Sequence, residues 1–208
     1  MPTSLIGDFK QGQRNLANIA AQVIHCIYDE LKIKPTNVSH QSGDILTEIK
    51  DETDGDEILG QARKELDQLF DSLDSKKLTT ELQFQLIAEK TIEIQRGNCN
   101  ELSYLFFELS KALYLDTSLE LLMTDSHMFA VVGRNRKSNL QNPTSWGENC
   151  IIADPWAKRI MTPLAFQQYR FNAKMDPVYT EHVKGRFELY YANHPNPTLS
   201  NKSRFKPY

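Results

Sequence analysis

Cysteine is scarce in this chain. The three cysteines among 208 residues, Cys26, Cys99 and Cys150, are widely and irregularly spaced. No Cys-x-x-Cys pair occurs, so the pattern gives no disulfide framework, speaks against a zinc site, and leaves a reducing working environment as the simpler inference. An excess of one charge is lacking too. With 24 Lys and Arg against 27 Asp and Glu, the formal net charge is −3, which gives no electrostatic case for a nucleic-acid partner. Long apolar runs are missing: nothing is long enough to span a bilayer, and the N-terminus lacks the charged-then-apolar pattern of a cleaved signal peptide. The expectation is a soluble protein without a membrane span. Internal repeats and low-complexity tracts are also absent, and the length suits one domain with a full core.

What is present divides into a helical first half and a strand-rich second half. Apolar periodicity predicts helices over about 13–33, 56–73, 79–95 and 99–114, with a loop containing Pro35 and Gly43 after the first. Short apolar runs at Leu119 to Met123, Met128 to Val132 and Cys150 to Ala153 read as strands. A polar loop with Pro143 and Gly147 separates the last two. A short helix is expected over Pro163 to Tyr169, and a further strand over Arg186 to Ala192. These elements make one α+β domain over 1–192, followed by a polar tail over 193–208. The stretch from Asp44 to Glu57 carries seven acidic residues against one Lys, the composition of a solvated loop or a docking surface for a basic partner.

The chemistry concentrates at Cys99. In Arg96-Gly97-Asn98-Cys99-Asn100-Glu101-Leu102, Asn98 fits an N-cap and Glu101 completes a capping-box pattern, which places Cys99 at the first helical position. Unpaired backbone N–H groups and the positive end of the helix dipole meet there, favouring a thiolate and offering donors to a developing oxyanion. Leu102, Phe106, Leu109 and Leu113 continue the stripe that Cys99 begins, so the sulfur is expected to face the packing surface of this helix.

A thiolate nucleophile needs a base, and the base needs a partner to hold its tautomer. If Met128 to Val132 and Cys150 to Ala153 pair as a hairpin with Gly133 opposite Glu148, then His127 falls directly across from Asp154. Rivals for the base are weaker. His25 lies on the polar side of the first helix, His40 in a Ser/Gln/Gly loop and His194 in the tail, while His182 precedes the Arg186 strand. Asp125 shares a strand face with His127 and is the alternative carboxylate. Cys26, beside Val23 and Ile27, reads as a core residue. Cys150 sits in a strand with no activating neighbour.

These three residues in their contexts resemble the papain-like cysteine enzymes, and among them the transglutaminase-like core. Its Cys, His, Asp order is carried here by Gly97-Asn98-Cys99, by Ser126-His127-Met128-Phe129 and by Ala153-Asp154-Pro155-Trp156, over about residues 80–165. The resemblance implies a nucleophile helix packed against a small antiparallel sheet, with no cofactor and no metal. It also implies a protein substrate attacked at an amide, in the manner of bacterial effectors that reach a host cytoplasm through a specialised secretion system and modify a host protein.

The expected mechanism follows. His127 takes or holds the Cys99 proton, Asp154 steadies the ring, and Cys99 attacks an amide carbon. Gln95 and Asn98 are candidates for the oxyanion and substrate contacts, and Trp146 and Trp156 for the wall of the cleft. Proteolysis, glutamine deamidation and transamidation share the same thioester. Two other classes remain in view: a silent binding module on the same fold, and a metal-dependent hydrolase using His127, Asp154 and Cys150.

Overall fold

A computed structural model describes residues 3–36, 53–73, 78–111, 113, 117–124 and 127–169. The proposed strand at 186–192, the tail, most of the acidic stretch, and His40, Asp125, His182 and His194 lie outside the described residues.

The elements run β1 (Ser4–Ile6), α1 (Gln11–His25), β2 (Lys34–Pro35), α2 (Thr53–Ser72), α3 (Thr80–Ile94), β3 (Arg96–Gly97) and α4 (Cys99–Ser110). They continue through β4 (Leu119–Met123), β5 (Met128–Val132), β6 (Ile151–Asp154), β7 (Arg159–Met161) and α5 (Pro163–Phe166). The chain after α1 makes one π-helical turn over Cys26–Glu30, which ends the first helix earlier than its apolar pattern predicts. Among the described residues, no helix is long and apolar enough to cross a membrane.

The helix that begins at Cys99 sits deep in the fold. Leu102, Leu105, Phe106 and Ser103 are fully buried and Phe107 nearly so, because α3, α1 and β5 all pack against it. A helix buried on nearly all sides carries apolar residues all round rather than one stripe. It stops at Ser110, so Leu113, expected to extend the stripe, stands 51% exposed.

The main sheet has the order β1-β7-β6-β5-β4. Strands β4 to β7 form an antiparallel meander; β7 is not among the strands the sequence predicts, and β1 adds a parallel fifth strand against it. The second sheet is the short parallel pair β2 and β3. It places Thr36 beside Gly97, with the Thr36 N–H donating to the Gly97 carbonyl at 2.8 Å.

The hairpin register differs from the expected one by two residues. Val132 faces Ile151, Val131 faces Ile152 and Ala130 faces Ala153. A two-residue slip preserves which face each side chain occupies, because side chains alternate with a period of two. His127 is therefore diagonal to Asp154 instead of directly opposite, still within reach of a long side chain. The cause lies at the loop ends, where Gly133 takes a positive φ of 78° beside Asn149 and the strand closes two residues later.

Cys26 is not the core residue its neighbours suggest. The buried line of the first helix runs through Ala17, Ala20, Ile24 and Ile27, leaving Cys26 half-buried at its margin. Adjacent helical positions are about 100° apart, so a neighbour of Ile27 need not share its face.

Candidate functional site

Cys99 occupies the first position of α4, and the local sequence explains why the helix starts there. The Asn98 side-chain oxygen accepts from the Asn100 N–H at 2.9 Å, and Glu101 Oε2 accepts from the Asn98 N–H at 3.1 Å. This reciprocal pair is a capping box. Gly97 stands just before it in a tight place: a Cβ there would lie 3.0 Å from Glu101 Cβ and 3.3 Å from Thr91 Cγ2, so those neighbours would have to give. The Cys99 sulfur is half-buried and its thiol contacts Asn100 Oδ1 at 3.7 Å.

His127 is 2% exposed and its backbone is tied to Thr124. The His127 N–H donates to Thr124 Oγ1 at 3.1 Å, while the Thr124 N–H donates to the His127 carbonyl at 2.8 Å. The imidazole Nε2 lies 2.6 Å from Asp154 Oδ2, and the Cys99 side chain acts on the same ring, favouring its charged form. With Nε2 taken by the carboxylate, Nδ1 is the nitrogen left for the thiol. The structure thus brings Cys99, His127 and Asp154 together from α4, the entry to β5 and the end of β6.

Asp154 is fully buried and has a partner for each oxygen. Oδ1 accepts from the Ala157 N–H at 3.0 Å, closing the turn into β7, and Oδ2 accepts both from His127 and from the Tyr169 hydroxyl at 2.8 Å. Burial works against a charged His127. The charge of Asp154 and its hydrogen bond outweigh that penalty, and with smaller contributions from Cys99 they raise the imidazole from 6.5 to about 9. The ring is therefore cationic at neutral pH in this arrangement.

Trp156 covers the couple. Its ring meets that of His127 edge-on, with centroids 5.4 Å apart, and its Nε1–H donates to the Thr36 carbonyl at 3.1 Å. Tyr28 donates from its hydroxyl to the Pro155 carbonyl at 2.9 Å, and burial, then the charge of Asp154, pushes its phenol upward. The pair thus sits behind aromatic rings, where an ion pair is weakly screened.

The other sequence-selected residues fall differently. Gln95 forms the left-handed C-cap of α3 at φ 52°, and its Nε2 donates to the Leu31 carbonyl at 3.3 Å. Asn98 uses its oxygen to cap α4. Trp146 is completely buried, donates to the Asn139 carbonyl at 3.1 Å and packs against Phe166, which makes it a core residue and not a cleft wall. An aromatic residue in a polar loop looks exposed in a sequence, but here its ring turns inward against Phe166 of α5.

Cys150 is fully buried with its thiol turned to the Ile151 carbonyl. Burial, then the Glu120 charge, drives this thiol upward, with Arg134 opposing. Cys26 is pushed up to about 11 by burial, by a hydrogen bond with Glu30 and by the Glu30 charge. His25 pairs with Asp29 at 2.7 Å on the exposed side of α1. Among the described residues, no three His, Cys, Asp or Glu side chains are grouped to hold a metal.

Sequence reasoning missed Tyr169 and Arg63. Tyr169 was legible only as the end of a short helix, and nothing in its neighbours signalled that its hydroxyl reaches Asp154. Arg63, on α2, forks onto Glu101 with Nε to Oε1 at 2.8 Å and Nη2 to Oε2 at 3.0 Å. Its partner is 38 positions away in the chain, beyond any local pattern.

The chain matches no protein-family model, no curated protein and no solved structure.

Proposed function

We propose that this protein is a cysteine-dependent acyl-transfer enzyme of the papain-like, transglutaminase-like kind, with Cys99 as nucleophile, His127 as acid and base, and Asp154 as the residue that orients the ring. The observation that carries the reading is the buried 2.6 Å contact between His127 Nε2 and Asp154 Oδ2, with a cysteine at a helix N-terminus acting on the same imidazole.

In the proposed reaction the thiol proton rests on His127, and the Cys99 sulfur attacks an amide carbon of a protein substrate. The tetrahedral oxyanion is met by the Cys99 backbone N–H, which has no intrahelical acceptor at the first helical position. His127 then gives its proton to the leaving amine, the C–N bond breaks and a thioester remains. Water resolves it to an acid, giving proteolysis or deamidation; a primary amine resolves it to a new amide. Trp156 keeps bulk water from the His127–Asp154 couple throughout.

The resemblance extends the proposal to a protein of a host cell as substrate, reached through a specialised secretion system. A translocation reporter fused to the chain tests that extension separately from the chemistry.

Labelling with iodoacetamide near neutral pH, read by peptide mass, tests the site itself. Cys99 is expected to react well ahead of Cys26 and Cys150, and His127→Ala is expected to remove that lead. Equal reaction of all three thiols would favour a silent binding module. Intact-mass analysis of candidate substrates, with and without a primary amine, then separates the outcomes: a gain of about one mass unit for deamidation, an amine adduct for transamidation, fragments for proteolysis.

A further inference from the structure

We propose that Arg63 is a positioning residue that neutralises the capping carboxylate of Glu101 in the same first turn of α4 as Cys99, so that a capping box fixes the head of α4 without opposing the thiolate. This inference rests on the acyl-transfer reading above.

A capping box solves one problem at a nucleophile helix and creates another. The carboxylate at the third helical position satisfies the cap N–H and complements the helix dipole. It also sets a negative charge in the same turn as the sulfur, where it disfavours a second anion. Glu101 is only 8% exposed, so water screens that charge poorly.

Arg63 answers this from a separate element. Both Glu101 oxygens are engaged by its fork, and Oε2 additionally accepts the Asn98 N–H at 3.1 Å. A guanidinium is charged at every relevant pH and matches a carboxylate with two parallel bonds, which a lysine cannot do. Arg63 is held protonated first by its bond to Glu101, against burial, and then by the charges of Glu101, Cys99 and Asp56, so its field extends to the sulfur. Among the described residues, charged groups acting at this end of α4 include Glu101 on the helix itself, Arg63 from α2 with Asp56 acting on it, and His127 from the sheet with Asp154 behind. Two of these make the catalytic couple. Arg63 and Glu101 form a second pair of opposite charges at the head of the same helix.

The test is the pH–rate profile of Cys99 carboxymethylation by iodoacetamide in the full chain. Arg63→Gln leaves Glu101 uncompensated and is expected to move the rising limb upward by about one pH unit, a roughly tenfold lower rate on its acid side. Arg63→Lys keeps the charge and loses the fork, and is expected to show less than half of that displacement. The double variant Arg63→Gln/Glu101→Gln removes both charges and is expected to recover at least half of it. Glu101→Gln alone leaves Arg63 unopposed and is expected to move the limb downward, which keeps the test decisive if Arg63→Gln does not fold.

A residue that merely tied α2 to α4 would leave the double variant as displaced as the single one. That result, a superimposed Arg63→Gln profile, or an upward or absent shift in Glu101→Gln, overturns the inference while a fast, His127-dependent Cys99 leaves the enzyme reading intact. A wild-type Cys99 no faster than Cys26 and Cys150 removes the enzyme reading itself.

Discussion

Tyr169 and His127 donate to the same oxygen, Asp154 Oδ2, at 2.8 and 2.6 Å. The carboxylate is thus shared between a neutral donor and a cationic one. A hydroxyl bonded to a carboxylate oxygen draws off part of the electron density that would otherwise hold the imidazolium. Tyr169→Phe removes that competitor and leaves the ring in place. The His127 value is expected to rise further above about 9, read from the histidine proton shift against pH. Stability is expected to fall by about 1 kcal/mol for the lost hydrogen bond. An unmoved or lowered titration would make Tyr169 a packing residue only.

The raised His127 also sets a pH dependence of stability. Its folded value, about 9, lies above the ordinary 6.5. The native state therefore binds the proton more tightly than the unfolded chain, and the stabilisation is complete below the unfolded value and lost as pH rises through the folded one. Its full size is on the order of 3 kcal/mol. Urea midpoints are expected to decline from about pH 6.5 to about pH 10, and Asp154→Asn, which removes the charge that holds the imidazolium, is expected to flatten that decline. The labelling lead of Cys99 should change over the same alkaline range as His127 loses its proton.

The sequence made much of this site visible because its signals are local. A capping box is four residues long, and Asn98 with Glu101 announced the head of α4 without reference to the rest of the fold. The strands β4 and β5 coincide with their apolar runs for the same reason. The hairpin register was not legible, since it depends on how Gly133 and Asn149 close a long loop. The error of two residues spared the pairing of His127 with Asp154 only because strand faces repeat every second residue. Contacts made across the chain carried no signal at all: the Tyr169 hydroxyl, the Arg63 fork and the parallel strand β1 appear once the chain is folded. Trp146 misled because its loop is polar and mostly exposed, while the Trp146 ring turns inward and is completely buried.

Thiol chemistry should be confined to one cysteine. Burial and Glu30 push Cys26 up to about 11, and Cys150 is pushed up further by burial and the Glu120 charge, with its thiol sealed inside the sheet. Cys26→Ser and Cys150→Ala are expected to leave the fast phase of labelling unchanged, whereas Cys99→Ala abolishes it. Stability separates the first two: Cys150 fills a fully buried position and its loss is expected to cost roughly 1 to 2 kcal/mol, while Cys26→Ser stays within about 0.5 kcal/mol. A fast phase that survives Cys99→Ala would place the reactive thiol elsewhere.

Gly97 links the architecture to Cys99. It pairs with Pro35 in the short second sheet and stands where a Cβ would press to 3.0 Å from Glu101 Cβ, 3.3 Å from Thr91 Cγ2 and 3.4 Å from Leu102 Cγ. Glu101 Cβ and the Leu102 side chain belong to the helix that Cys99 heads, so an added methyl has to push α4 away from α3 or rotate its first turn. Gly97→Ala is expected to cost about 1 to 3 kcal/mol in urea denaturation, the usual range for overpacking a filled site. Because the displaced turn carries Cys99, the labelling rate should fall by more than global unfolding explains when measured well below the denaturation midpoint. Loss of stability with an unchanged Cys99 rate in the folded protein would mean that the helix absorbs the methyl by shifting α3, with the geometry toward His127 preserved.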